Sequence, residues 1–247
     1  MFNALLLAVT IIAQSAGYYT SMANHMKRWL GEEGVPARVI TAGGMTAALQ
    51  QETLVFLLGF ENPTTSELKA LKSFRAKGGR LVVFHSGSSA LAQLMDVKVI
   101  GYATAPYPGA WSRMDFPLKY PDGVPGQILQ SSTVLQRARP IEGKGRVLAV
   151  WHDRQGRSTG EPAWISTRAG FWMTHLLLPD GDEALKAQLL GAIVGSVCPN
   201  LWSLAAHNRR DQAKKASWRN LAVRQVPRKA EIHAVWDHTG MGLYPGD

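Results

Sequence analysis

The sequence predicts an α/β fold: a three-layer sandwich around a mostly parallel sheet, with a C-terminal helical linker. Three observations point to it. Short apolar runs of strand length recur as far as about residue 95. Segments of helical period lie between them, and the connections are brief and often end in glycine. Strand, helix, strand, helix with short joints is the signature of a parallel sheet covered on both faces. The 247 residues are 46% hydrophobic and 18% charged, which is enough for a real core and excludes a disordered chain.

The elements follow in order. Ala4–Ala13 is apolar and is followed by Gln14-Ser15-Ala16. Two readings of it stand. One is a buried first strand over Ala4–Thr10, since buried parallel strands are continuously apolar. The other is a signal peptide with a small-residue cleavage site, although no Lys or Arg precedes Lys27. Tyr18–Gly34 is a helix, because Met22, Met26, Trp29 and Leu30 share one face and Gly34 ends it. Ala37–Thr41 and Leu54–Leu58 are strands. Thr64 and Glu67 form a capping-box pair that opens a helix running to Lys77. Gly78-Gly79 leads into the strand Arg80–Phe84, and Ser88–Met95 is the next helix.

After Asp96 the texture changes. Residues 101–145 are rich in Gly, Pro and Tyr and read as an irregular insertion with short strands. Arg146–Trp151 and Ala163–Thr167 flank a polar loop, as in a hairpin. Gly170–Leu178 is a further strand, and Asp182–Val197 a helix with Leu185, Leu189 and Ile193 inward. The expected organisation is therefore an α/β domain over 1–197, a basic helical linker over 198–229, and the start of another domain over 230–247.

Composition excludes several functions. A single cysteine rules out an intrachain disulfide, and no apolar run reaches the length of a membrane span. The net charge of +9 is concentrated in the linker, at Arg209, Arg210, Lys214, Lys215, Arg219, Arg224, Arg228 and Lys229. Without a base-reading or stacking element beside it, that segment is a solvated helix and no nucleic-acid partner is expected. His152-Asp153 has no second ligand cluster at useful spacing, so no metal is expected, and no motif implies a cofactor.

The chemistry-bearing segment is the turn after Arg80–Phe84, His85-Ser86-Gly87-Ser88-Ser89. A strand turning into a helix exposes a side chain at the carboxyl edge of a sheet and aims free N–H groups at any ligand there. Candidate ligand contacts are Gly59, His85, Ser86, Gly87 and Ser88, with Tyr107 and Trp111 as a separate aromatic surface suited to a sugar ring. Catalysis would fall to Ser86 or Ser88 with His85 or His175 as base. No Gly-x-Ser-x-Gly pattern surrounds Ser86, and nothing in sequence selects an orienting carboxylate. The other reading makes His85 and His175 structural histidines. Trp164 and Trp172, on strands, are core candidates.

Gly78-Gly79, an apolar strand, and a turn with Gly87 two residues after its start resemble the class I glutamine amidotransferase-like superfamily. There the turn is Cys-x-Gly and the Cys is the nucleophile. The resemblance covers roughly residues 1–197 and implies a flavodoxin-like domain. His85 stands at the Cys position, so it also implies no glutaminase chemistry. The family's later His-x-Glu falls on His175, with Leu177 where Glu would be. A His after the strand is also found in the trehalose-utilisation ThuA-like branch, which lacks that chemistry.

Residues 231–247, with Val235-Trp236-Asp237-His238 and Gly240-Met241-Gly242, resemble the opening of a glycosyl-hydrolase-like family 10 barrel. This implies a longer, bacterial, extracytoplasmic carbohydrate-active protein. In it the 1–197 domain would be an accessory that packs on the barrel or binds a saccharide.

Overall fold

A computed structural model describes residues 8–118, 120–201, 203–205 and 207–212. The expected domain start at 230–247 and most of the linker lie outside them. The strands are β1 (Val9–Ala13), β2 (Ala37–Thr41), β3 (Leu54–Leu58), β4 (Arg80–Phe84), β5 (Val97–Thr104), β6 (Trp111–Asp115), β7 (Gln127–Ser132), β8 (Val134–Pro140), β9 (Gly145–His152), β10 (Ser158–Thr167) and β11 (Gly170–Met173). The helices are α1 (Tyr18–Glu32), α2 (Met45–Ala48), α3 (Thr65–Ala76), α4 (Ser89–Leu94) and α5 (Glu183–Val197). Residues 199–201, 203–205 and 207–212 are also helical.

Nine strands form one sheet in the order β2-β1-β3-β4-β11-β10-β9-β6-β7, and β5 pairs with β8 in a second sheet. The pairs β2–β1, β1–β3, β3–β4 and β4–β11 are parallel. The pairs β11–β10, β10–β9, β9–β6 and β6–β7 are antiparallel. This overturns the expected flavodoxin-like sandwich with its mostly parallel sheet: the main sheet is mixed, half of it antiparallel. The cause lies in residues 97–173. Parallel neighbours need a crossover of a dozen or more residues, usually helical, whereas hairpins need only a turn. Among its described residues that stretch holds seven strands and no helix, so every pairing made within it is antiparallel. It is not an irregular insertion either, since it builds β5 to β8.

The parallel half keeps a helical layer on each face because its strands are apolar on both. Val9, Ile11, Ala13, Leu54, Phe56, Leu58, Val82 and Phe84 share one core with Met22, Met26, Trp29 and Leu30 of α1 and with Leu189, Leu190 and Ile193 of α5. The alternate residues Ile12, Val55, Leu57, Leu81 and Val83 share a second core with Leu71 and Phe74 of α3 and Leu91 of α4. A period of two along each strand divides the side chains between the faces. α3 begins with the expected capping box: the Thr64 side chain accepts from Glu67 N, and the Glu67 carboxylate accepts from Thr64 N.

β1 lies further along the chain than the expected strand Ala4–Thr10, part of which falls outside the described residues. β11 ends at Met173, five residues before the expected end. This change in length positions His175. The helical residues after α5 lie against the end of α1: Asn208 donates to the Gly34 carbonyl at 2.8 Å, and Arg209 pairs with Glu33 at 2.9 Å.

Candidate functional site

β1, β3, β4 and β11 run parallel, so their carboxyl ends meet at one edge of the sheet. Met173 is the register partner of Phe84. The residues just past those two strands are therefore brought together. The His85 and His175 rings meet edge to face, 5.4 Å between centroids and 76° between planes. The two histidines singled out by the motif comparison are thus in contact. Nothing in local sequence shows that they should be, because β4 and β11 are separated by 85 residues of chain.

His85 occupies the left-handed region at φ 51°, uncommon for a residue with a side chain. Its backbone N donates to the Met173 carbonyl at 3.1 Å, which fixes the turn to β11. Its Nε2 lies 3.8 Å from Glu61 Oε1, an electrostatic contact rather than a hydrogen bond. Its Nδ1 is buried without a hydrogen-bond partner. Burial holds this imidazole below its ordinary pKa, against the Glu61 carboxylate and the Thr174 carbonyl, which acts on the ring without meeting the geometry of a bond.

His175 is more deeply buried, and its pKa is lowered to about 4 by burial, only partly offset by its bond to Leu176. Its Nδ1 lies 3.0 Å from the Leu176 carbonyl, which can only accept. The neutral ring therefore carries its proton on Nδ1. The Gln130 amide donates to the Leu176 carbonyl and to Ser132 Oγ, and its oxygen accepts from Leu178 N. That network orders the segment after β11.

Glu61, Tyr19, Gln14 and Gln136 complete the edge, and sequence reasoning missed all four. Tyr19 donates to Glu61 Oε1 at 3.0 Å, and Glu61 N donates to Gln14 Oε1 at 3.0 Å. Burial, followed by the Glu61 carboxylate, pushes the Tyr19 hydroxyl up to about 12. Glu61 and Gln14 sit within three residues of the ends of β3 and β1. The rule that sites in parallel sheets gather at strand ends would have drawn attention to them.

The predicted ligand contacts are largely covered. A Cβ on Gly59, at φ 71°, would sit 2.4 Å from the Tyr19 ring, so this glycine lets the ring lie across the strand end. The Gln136 amide lies over Gly87 at 3.1–3.3 Å from where a Cβ would stand. Ser86 Oγ donates to the Phe60 carbonyl and accepts from Ser88 N. Ser88 Oγ caps α4 by accepting from Leu91 N. Two of the N–H donors expected to be free here, those of Ser88 and Leu91, are thus taken by the turn's own serines.

Tyr107 and Trp111 lie elsewhere. Trp111 opens β6 and is only 4% exposed, which corrects its expected place on an aromatic surface. Tyr107 is 43% exposed, and its hydroxyl donates to Asp153 Oδ2 at 3.1 Å. Both line a cleft of about 560 Å³ beside the turn between β9 and β10. Trp164 and Trp172 are fully buried, consistent with core roles. His152 contacts the Val150 carbonyl and lies 3.7 Å from Asp115. Among the described residues no three His, Cys, Asp or Glu side chains gather as a metal ion would need.

The arrangement has imidazoles, a carboxylate and a phenol at the strand ends, but the Ser86 hydroxyl is hydrogen-bonded on both sides. Solved structures are similar to the chain in overall fold. A ThuA-like protein from Bacteroides uniformis superposes with a TM-score of 0.57 at 10% identity, over 76% of this chain and 91% of that one.

At 10% identity that likeness is one of fold alone.

A GMP synthase component from Thermoplasma acidophilum matches with a TM-score of 0.53 at 10% identity, over 83% of this chain and 97% of that one. This too is a likeness of fold alone. The β-galactosidase from Bacillus circulans sp. alkalophilus matches with a TM-score of 0.60 at 13% identity, over 77% of this chain and 31% of the enzyme. The chain thus spans about a third of the length of that glycosidase. No family model and no curated protein matches.

Proposed function

We propose that this domain is a non-catalytic accessory module of a longer carbohydrate-active protein, acting by binding a ligand or by packing on a neighbouring catalytic barrel. The state of Ser86 carries the reading. An activated nucleophile needs a base on its hydroxyl and an open face for the substrate. Here the hydroxyl donates to the Phe60 carbonyl and accepts from Ser88 N, while an imidazole holds the position of the family's cysteine. Tyr19 and Gln136 close over Gly59 and Gly87, which leaves the edge better suited to rigidity than to turnover. Two further observations support the module's setting. A glycosidase shares the fold over a third of its length, and residues 231–247 resemble the opening of a barrel.

The test is turnover by the purified chain on glutamine, p-nitrophenyl acetate and a p-nitrophenyl galactoside. No release above buffer is expected. Release that disappears in both Ser86→Ala and His85→Ala would overturn the proposal and restore the hydrolase alternative.

A further inference from the structure

We infer that the cleft beside the β9–β10 turn is a binding site for a neutral mono- or disaccharide. The inference rests on the accessory-module reading and names the ligand class for it. At about 560 Å³ the cleft is within the range of small-molecule sites, about 300–1,000 Å³. Its wall offers the two things a sugar needs. The C–H face of a pyranose requires a flat apolar surface, and Tyr107, Pro106 and Ala103 line the cleft. The hydroxyl edge requires donors and acceptors side by side. Arg137 Nη2 and Glu161 Oε1 are paired at 2.7 Å on the same wall, so a guanidinium donor and a carboxylate acceptor stand at the spacing of a vicinal diol.

The aromatic wall is held in place before any ligand arrives. Tyr107 donates to Asp153, whose carboxylate also accepts from Arg157 N, Gln155 N and Arg157 Nε. A ring fixed in this way loses little freedom on binding. Charge decides against a free anion. Arg137 and Arg157 are matched by Glu161 and Asp153 in the same lining, and Arg139 adds a second bond to Glu161. Within the lining itself two cations face two carboxylates. The wall is dense in hydrogen-bonding groups and has no net charge of its own.

The experiment titrates the 247-residue chain with lactose, galactose and inorganic phosphate, read by amide chemical shifts and tryptophan fluorescence. Lactose or galactose is expected to shift resonances of Ala103, Tyr107 and Thr159 and to leave Gly59 and Gly87 unmoved. Tyr107→Ala should weaken binding about tenfold, the size of one lost aromatic contact. Glu161→Gln should weaken sugar binding and raise phosphate affinity, because it frees the two arginines. Each variant is compared at equal thermal midpoint, and Tyr107→Phe serves as the control that keeps the ring. Three results overturn the site: no shift at saturating concentrations of either sugar, sugar binding indifferent to Tyr107→Ala, or tighter binding of phosphate than of sugar by the unaltered chain. Any of them leaves the non-catalytic reading standing, since turnover alone decides that.

Discussion

His175 shows what a single buried side chain contributes and when. Its pKa falls from the usual 6.5 to about 4 because the imidazolium would lose its water beside the second imidazole of His85. Below pH 6.5 the unfolded chain takes up a proton that the folded chain refuses until about pH 4. The unfolded state therefore binds more protons in that window, and stability rises with pH across it. The contribution is complete above pH 6.5 and lost as pH falls towards 4. His85, also lowered, acts in the same direction. Urea midpoints of the native chain and of His175→Gln should differ in slope between pH 6.5 and 4 and run parallel above that window. Equal slopes throughout would show that the ring is not neutral in the fold. At this scale the site was half legible. A turn after an apolar strand pointed to His85, and motif spacing to His175. Glu61, Tyr19 and Gln136 were not, because their roles come from which strand ends become neighbours.

The elements carry their own instructions where those are local. The Thr64–Glu67 pair is a helix start in the sequence and a helix start in the structure, because both bonds close within three residues. Thr64→Ala should cost about 1 kcal/mol by chemical denaturation, the usual worth of an N-cap. β2, β3 and β4 match their sequence ranges, since a short apolar run between polar or glycine boundaries leaves little choice. β5 to β8 were not legible as a set. Their side chains alternate between buried and exposed, as along β5, but Gly, Pro and register shifts interrupt the pattern. Gly170, at the start of β11, marks a demand that no local pattern reveals. At φ 137° a Cβ would stand 1.9 Å from the Leu81 carbonyl. Gly170→Ala must push β11 away from β4 or break the turn. A loss of roughly 3 kcal/mol or more is expected in thermal and denaturant unfolding, at the high end for one substitution. A loss under about 0.5 kcal/mol would mean the strand pair yields easily.

At the scale of the whole molecule, the expected α/β sandwich around a mostly parallel sheet is overturned by a mixed, nine-stranded one. Single strands and helices follow from periodicity, which is local. Sheet direction follows from the connections, and much of the stretch between residues 97 and 173 reads as an insertion although it builds the second half of the sheet. The helical residues after α5 also belong to the packed body. Leu201 and Ala205 are buried in the main core, and Asn208 and Arg209 bond to the end of α1. A chain cut after Val197 should therefore melt several degrees below the full chain and expose the end of α1 to proteolysis, whereas a detached linker could be removed without effect. The join between the two halves of the sheet has a consequence for how the chain reaches this state. Pairing within β9, β10 and β11 closes loops of a few residues, but β4 meets β11 only after 85 residues of chain have been gathered in. Closing a long loop costs entropy before any contact is gained, so pairings far apart in sequence form late and slowly. Pulsed hydrogen exchange during refolding should protect the amides of β9 and β10 first. The amides of Val83 and His85, whose neighbours lie across that join, should be protected last, together with the appearance of the histidine-lined edge.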